Sequence, residues 1–291
     1  MQSTGTLFGS KTGADGKVVI VGLPFDHGST YNPGCSTAPN TLRLLTRSES
    51  SVRGHMWDLN IRSKLFEQNT ISDLGDISYK ASQTREEYFD FVRKSIIILK
   101  KENRKILALG GDHLVTLPLV QGIAGVHKCF QVLQIDAHTD YRPVDKSQHP
   151  THATFVHFLL QEEAVARIVQ VGVRGYSSEL INSPAKLHQC QLDELSDHLI
   201  PGLPVYLTVD TDGFDPSIAP AVSHPIIGGL QWFDLKKIFS IMRRLNCILL
   251  SADWTEYNPL YDAKNYLTGH AIASCLLYVI SELSISDLTN V

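Results

Sequence analysis

The sequence predicts an α/β protein in which a mainly parallel sheet carries helices on both faces. Short apolar runs alternate along the chain with longer segments that have helical apolar spacing. Several of the runs are apolar nearly throughout, which is typical of strands that helices cover on both sides. Gly, His and Asp are concentrated directly after the runs, where α/β sheets hold their ligands.

The predicted elements follow one another as strand and helix, the order that a parallel sheet requires. No linker, low-complexity tract or internal repeat interrupts them, so we expect a single domain over residues 1–291. The predicted strands are 18–23, 105–109, 130–135, 167–173, 205–209 and 247–252. The predicted helices are 86–101, 115–123, 153–165, 233–245 and 270–283.

The composition excludes several classes of protein. Hydrophobic residues make up 43% and charged residues 19% of the chain, which is ordinary globular usage rather than that of a fibrous or disordered protein. The 26 Lys and Arg against 30 Asp and Glu give a formal charge of -4, which argues against partners such as nucleic acid or an anionic membrane. Five widely spaced Cys, a polar N-terminus and no apolar run of membrane length lead us to expect a soluble cytoplasmic protein.

Acidic and imidazole side chains follow three of the predicted strands. The motif GGDH (110–113) follows the strand 105–109, DAHTD (136–140) follows 130–135, and DTDGFDP (210–216) follows 205–209. Residues two apart in an extended strand end point to the same side, so the alternating Asp and His side chains should converge. The converging residues are His113, Asp136, His138, Asp140, Asp210 and Asp212.

This set contains too many carboxylates for a single ion. Four carboxylates crowded together without cations repel one another, and their pKa values rise. Two divalent ions that share carboxylate ligands remove this repulsion and activate a water molecule. Carboxylate and imidazole ligands without a thiolate favour Mn²⁺ over Ca²⁺ or structural Zn²⁺. We therefore expect two Mn²⁺ ions per chain, although the ligands leave the physiological metal open.

In this order, the three motifs resemble those of the ureohydrolases, the family of arginase, agmatinase and their relatives. The resemblance extends to GLPFD (22–26), PG (33–34) and DWTEYNP (253–259), so it covers most of the chain. It implies a three-layer α/β/α, arginase-like fold, a binuclear Mn²⁺ site and a homo-oligomer.

Carried over by motif, the resemblance also divides the ligands between two ions. The first ion would be held by His113, Asp136, Asp140 and Asp210. The second would be held by Asp136, His138, Asp210 and Asp212, so that Asp136 and Asp210 bridge the pair.

The reaction that the resemblance implies is hydrolysis of a guanidino group to urea and an amine. The leaving amine needs a proton, which a His supplies most readily near neutral pH. HATF (152–155) resembles the family's H-G-T-x-F segment, so His152 is expected to bind the substrate and donate this proton, and His149 is a bystander. By the same resemblance Glu256 accepts paired N–H bonds from the guanidinium, and Asp140 orients the attacking oxygen.

Two loops depart from the family pattern. Where agmatinases read P-G-T-G-T-P, this chain reads PAVSHP (220–225), so Ser223 and His224 are expected substrate-binding residues of an altered pocket. The V-S pair at 222–223 is closer to formiminoglutamases. The segment 141–151 also lacks the Asn and Ser pattern with which arginases bind the α-carboxylate and α-amine of free arginine.

These departures leave the substrate open among several candidates. A nonstandard guanidino compound, including arginine within a peptide that would become ornithine, ranks first, agmatine second and free arginine third. The expected partner is therefore a guanidino small molecule or an arginine-containing peptide. Two rival functions remain: hydrolysis of a formimino group with release of formamide, and a non-catalytic role, against which the complete set of six ligands counts.

Overall fold

The computed structural model describes residues 5–29, 32–47, 70–145, 148–175, 184–262 and 265–285. Its strands are β1 (Lys11–Thr12), β2 (Val18–Gly22), β3 (Ile71–Asp76), β4 (Lys105–Leu109), β5 (Phe130–Ile135), β6 (Val165–Val171), β7 (Leu187–Cys190), β8 (Val205–Asp210) and β9 (Leu249–Thr255). They form one nine-stranded sheet in the order β1-β3-β2-β4-β9-β8-β5-β6-β7. Every neighbouring pair in this sheet is parallel.

Helices connect the strands, as parallel pairing requires. The α-helices of the described segments are α1 (Ala38–Thr46), α2 (Arg85–Lys101), α3 (Thr116–Ala124), α4 (Phe155–Leu159), α5 (Leu195–His198), α6 (Asp234–Arg244) and α7 (Leu267–Ile285). Helix α2 begins at a capping box, in which the Thr84 hydroxyl accepts from the Glu87 N–H and the Glu87 carboxylate accepts from the Thr84 N–H. Two donors that the first turn cannot pair internally are thereby satisfied.

The sheet separates two hydrophobic cores, and alternate residues of a strand enter opposite ones. In β2, Val18 and Ile20 pack into the core shared with α1, α6 and α7, whereas Val19 and Val21 pack into the core shared with α2, α3 and α4. Helices therefore cover both faces of the sheet. This arrangement confirms the predicted three-layer α/β/α fold with a mainly parallel sheet.

The prediction of a helix over 153–165 is wrong beyond its first part. Helix α4 ends at Leu159, and Val165 already belongs to β6, where it pairs with Phe130 of β5. Pairing with β5 buries Val165 fully, and this tertiary contact outweighs the local helical spacing. Strand β6 consequently begins and ends two residues earlier than predicted, and β9 continues to Thr255 instead of ending at 252.

Strands β1, β3 and β7 and helix α1 were not predicted from the sequence. In β3 the pattern was obscured because the strand carries the carboxylates of Asp73 and Asp76. The Arg43 guanidinium of α1 contacts both, and its Nε lies 2.8 Å from Asp73 Oδ2. Asp73 is almost fully buried, and this ion pair makes its burial tolerable.

Helix α7 is a core helix of the α/β sandwich. By length and composition alone it could cross a membrane, and among the described residues this is true of no other helix. However, 61% of its most apolar 18-residue stretch is buried inside the protein. There the helix contacts α1, α6 and strands β2, β4 and β9. Its apolar composition is accounted for by this packing.

Candidate metal centre and active site

Four adjacent strands, β4, β9, β8 and β5, bring the predicted site residues to one edge of the sheet. Because the strands are parallel, the loops that follow them meet at their shared carboxyl ends. His113 follows β4, Glu256 follows β9, and DAHTD (136–140) follows β5. Asp210 is the last residue of β8, and Asp212 lies in the short 3-10 turn after it.

The first group of ligand atoms surrounds the imidazole of His113, which is fully buried. Its Nδ1 lies 3.1 Å from Asp136 Oδ2, 3.2 Å from Asp140 Oδ2 and 3.1 Å from Asp210 Oδ2. Despite these distances Nδ1 has no hydrogen-bond partner of acceptable geometry. Four donor atoms thus face a common centre and lie within 4.8 Å of one another, as the ligands of one cation do.

The electrostatics of this group also fit a cation. Burial, the neighbouring carboxylate of Asp140 and, to a smaller degree, that of Asp212 raise the pKa of Asp136 to about 7, although His113 opposes the rise. Burial likewise raises the pKa of Asp210 well above its usual range, and the charges of Asp212 and Asp136 add to this. A divalent cation would favour the ionised form of each carboxylate.

The second group consists of Asp136, His138 and Asp212. His138 Nδ1 lies 3.0 Å from Asp212 Oδ2 and 3.8 Å from Asp136 Oδ1. Asp136 belongs to both groups, whereas Asp210 belongs to the first alone. The structure therefore brings all six predicted ligands together, and the bridging role of Asp210 stays a prediction.

A buried chain of hydrogen bonds holds the His113 ring at Nε2, the nitrogen that does not face the carboxylates. Its Nε2 lies 2.8 Å from Thr208 Oγ1, and the Thr208 hydroxyl donates to Asp253 Oδ1 at 2.6 Å. The hydroxyls of Tyr206 and Thr116 donate to the other oxygen of Asp253. Because Thr208 gives its one hydrogen to Asp253, its oxygen accepts from His113 Nε2, and this leaves Nδ1 as the ligand atom.

The sequence interpretation missed Thr208 and Asp253, although each leaves a signal. Thr208 stands two residues before Asp210 in the same strand, so it lies on the same side of the sheet. Asp253 is a carboxylate in the middle of a strand whose every residue is buried. A buried acid at such a position needs several donors, which here are three hydroxyls.

Three donors hold the carboxylate of Glu256 beside the metal ligands. Its Oε1 accepts the backbone N–H of His113 at 2.8 Å and lies 3.4 Å from His152 Nδ1. Its Oε2 accepts the Cys35 thiol at 3.6 Å. Burial opposes a charge on His152, but its contact with Glu256 raises the pKa of His152 above the ordinary value.

Glu256 and Asp140 share a strained backbone conformation. Their φ angles are 60° and 47°, in the left-handed region that side chains other than Gly adopt at a cost of about 1–3 kcal/mol. The backbone N–H of Glu256 donates to Gly111 O at 2.8 Å, which helps to hold this turn. Such strain clusters at functional sites, where the surrounding structure maintains it.

A pocket of about 230 Å³ opens beside the two groups, and ligands of both line it. The expected substrate-binding residues His152, Ser223 and His224 all line it. His149 does not; its side chain is exposed beside Glu86. The complete lining comprises His138, Asp140, Arg142, His152, Ala153, Asp210, Asp212, Ser223, His224 and Glu256.

Arg174, which the sequence interpretation also missed, ties the pocket loop to the metal ligands. Its guanidinium donates to the carbonyl oxygen of Asp212 at 2.7 Å and to that of Ile226 at 2.6 Å. It also donates to Gly172 O at 2.9 Å. One side chain therefore fixes the loop after His224 relative to the turn that carries Asp212.

Comparison with known proteins agrees with this geometry. The Arginase family model matches residues 16–281. An agmatinase of Blochmanniella floridana is 31% identical over 257 residues, which are 84% of this chain and 81% of the relative.

Among solved structures, a hypothetical agmatinase from Burkholderia thailandensis superposes with a TM-score of 0.81 at 22% identity, over 96% of this chain and 90% of the other. The agmatine ureohydrolase of Thermoplasma volcanium gives a TM-score of 0.79 at 24% identity, over 99% and 97% of the two chains. Members of the matched family are binuclear metal enzymes that hydrolyse C–N bonds in guanidino compounds. The chain belongs to the Arginase family and is a metal-dependent C–N hydrolase.

Proposed function

We propose that this protein binds two Mn²⁺ ions and releases urea and an amine from a guanidino substrate. The observation that carries the proposal is the buried Nδ1 of His113, which faces three carboxylate oxygens and has no hydrogen-bond partner. A second ligand group shares Asp136 with the first, as expected of a site for a pair of ions.

The donor set fits Mn²⁺ because it consists of carboxylates and imidazoles without a thiolate. His113, Asp136, Asp140 and Asp210 would hold one ion, and Asp136, His138, Asp210 and Asp212 the other. When bound, the pair of ions would supply a water nucleophile that is deprotonated near neutral pH.

The other residues would bind the substrate and move its proton. Glu256 is held by its contacts with His113, Cys35 and His152, and its carboxylate can accept paired N–H bonds from a guanidinium in the pocket. His152 lines the same pocket and lies beside Glu256, so it is placed to donate a proton to the leaving amine. Asp140 would orient the attacking oxygen.

The substrate proposal is a guanidino compound whose tail differs from that of free arginine. The relatives named agmatinase support agmatine as one candidate. Arginine within a peptide is another, because it also lacks the free α-carboxylate for which the segment 141–151 has no Asn and Ser pattern. Formimino hydrolysis is the rival reaction, and its product would be formamide in place of urea.

A screen for urea release tests the proposal. The purified chain, loaded with Mn²⁺, would be incubated with agmatine, arginine, guanidino acids, an arginyl peptide and a formimino amino acid, and metal would be counted by mass spectrometry. We expect urea from at least one compound and two metals per chain. No urea together with formamide from a formimino substrate would favour the rival reaction, and no product with far fewer than two metals would favour a non-catalytic role.

We also propose that the chain forms a homo-oligomer, as the family resemblance implies, and that it acts in the cytoplasm, as its widely spaced Cys residues favour. Light scattering should therefore give a mass that is a multiple of 32.3 kDa. A species of 32.3 kDa at assay concentration would contradict the oligomer.

A further inference from the structure

One cationic side chain of the pocket, that of Arg142, has no role in the proposed hydrolysis. Arg142 lines the pocket together with the metal ligands and Glu256. It stands two residues after Asp140, within the loop that follows β5. Its side chain is exposed to solvent, and it forms no hydrogen bond or ion pair with any residue that the structure describes.

Two other arginines of the described residues are occupied. The guanidinium of Arg43 contacts the carboxylates of Asp73 and Asp76, and that of Arg174 is surrounded by backbone carbonyls. A guanidinium that lines a polar pocket without a protein partner keeps its five donors available to a ligand. Arg142 is therefore free to bind a group that enters the pocket.

The charge balance of the pocket indicates what that group is. The four Asp ligands carry four negative charges, which two divalent ions would neutralise. Glu256 then remains as the anion that the guanidinium of the substrate requires. Arg142 adds a positive charge on the pocket wall, and a tail that ends in ammonium, as in agmatine, would meet this like charge.

We propose that Arg142 binds a carboxylate of the substrate, so that the enzyme acts on a short guanidino carboxylic acid. Arginine pairs with a carboxylate through two parallel N–H···O bonds, a geometry that an ammonium or a neutral tail cannot supply. The guanidinium of the substrate contacts Glu256 while its carboxylate contacts Arg142. This inference rests on the proposed function and names its substrate class.

The size of the pocket agrees with a small substrate. Its volume of about 230 Å³ lies below the usual range for drug-sized ligands, and both charged residues line the same space. Arginine within a peptide presents only a neutral carbonyl at the corresponding place. Such a carbonyl accepts a weaker hydrogen bond from Arg142 than a carboxylate does.

The test compares guanidino acids of increasing chain length with their neutral amides and with agmatine, on the Mn²⁺-loaded enzyme. We expect kcat/KM for the best acid to exceed that for its amide by about fivefold, because solvent screens an ion pair formed by an exposed Arg. Arg142→Gln should reduce this acid-to-amide ratio by about the same factor. It should do so mainly through KM, because the carboxylate is remote from the bond that breaks. The matched control is Arg244→Gln, an exposed Arg at the end of α6, which should leave the ratio unchanged.

The two proposals fail in different ways. If agmatine or an amide yields urea as well as the acid does, or if Arg142→Gln leaves the acid-to-amide ratio unchanged, the carboxylate site is wrong and the hydrolase proposal survives. If no guanidino compound yields urea, the hydrolase proposal fails. In that case calorimetric titration of guanidino acids into wild type and Arg142→Gln decides the carboxylate site, since equal binding by both proteins, or none by either, would overturn it.

Discussion

The two ligand groups that share Asp136 differ in how they are supported. His113 is fully buried and is held from behind by Thr208 and the carboxylate of Asp253. The side chain of His138 is 35% exposed, lines the pocket and has the ring of His224 6.1 Å away. The imidazole of the first group is therefore sealed in the core, whereas that of the second opens to the pocket, and we call the two groups the sealed and the open half. The carboxylates of Asp140 and Asp210 in the sealed half also line the pocket.

One edge of the sheet therefore carries both a metal ligand with a fixed orientation and a metal ligand that solvent and substrate can reach. A ligand whose second nitrogen is hydrogen-bonded has a fixed ring orientation, which raises its metal affinity. A ligand at the pocket wall can exchange with solvent and meet the substrate. We therefore expect the sealed half to retain its metal longest and the open half to lose its metal first during dialysis against a chelator.

The largest effect should come from the residue that joins the two halves. Asp136→Ala removes a ligand from both groups, so we expect loss of both metals and of urea release. Metal content by mass spectrometry and urea assays with added Mn²⁺ measure the two losses. Asp193→Asn, an exposed carboxylate outside the pocket, is the matched control. Retention of a full metal complement by Asp136→Ala would contradict the shared role of Asp136.

The next effect separates the halves. His113→Ala should lower the free energy of unfolding of the metal-free protein by about 1–3 kcal/mol, because it removes the donor to the buried Thr208 hydroxyl and leaves a cavity in the core. His138→Ala should lower it by no more than about 1 kcal/mol, since solvent partly screens the contact of that ring with Asp212. Urea denaturation in the presence of a chelator measures both values. Equal losses in the two variants would remove the distinction between a sealed and an open half.

A smaller effect should follow from loosening the support of His113. Thr208→Val keeps the shape of the side chain but removes the hydroxyl that links His113 to Asp253. We expect metal affinity at the sealed half to fall about ten- to hundredfold, as found for outer-shell partners of metal ligands. Thr208→Ser retains the hydroxyl and should restore most of the affinity. If Ser and Val weaken binding equally, the hydrogen bond does not orient the ring.

The sequence indicated the metal ligands of both halves but not the residues that support His113 in the sealed half. All six candidate ligands could be predicted because they follow buried strands, and parallel strands end at one edge. Thr208 and Asp253 are 45 residues apart, and their contact depends on β8 and β9 being neighbours in the sheet. Strand order is a property of the folded chain, and no local pattern carries it.

The contacts of Glu256 and Arg174 near the pocket also depend on the folded chain and leave no local signal in the sequence. Glu256 could be proposed only through its resemblance to a family motif, because nothing local indicates that β9 lies between β4 and β8. Arg174 binds carbonyls of residues about 40 and 50 positions further along the chain. Backbone carbonyls carry no sequence signal, so such contacts are found only in the structure.

The smallest expected effect concerns Glu256 and His152, the pair of residues that connects the two halves. Glu256 accepts the backbone N–H of His113 on the sealed side, and it lies 3.4 Å from His152, which lines the open pocket. Burial disfavours the charged form of His152, but Glu256, and the charges of Asp140 and Asp112, raise its pKa above the ordinary value of 6.5. The charged imidazole is therefore stabilised in the folded protein relative to the unfolded chain.

A raised pKa in the folded state has a definite sign for stability. The contribution of His152 is fully present below pH 6.5, the unfolded value, and is lost as the pH rises through the folded pKa. The stability difference between wild type and His152→Gln, measured on metal-free protein by urea denaturation, should thus be larger at pH 6 than at pH 9. His149→Gln, which removes an exposed imidazole, should show little difference at either pH. In the Glu256→Gln background the pH dependence of the His152→Gln effect should shrink, because the largest favourable charge is gone. A pH dependence that persists unchanged there would mean that Asp140 and Asp112, rather than Glu256, hold the charge on His152.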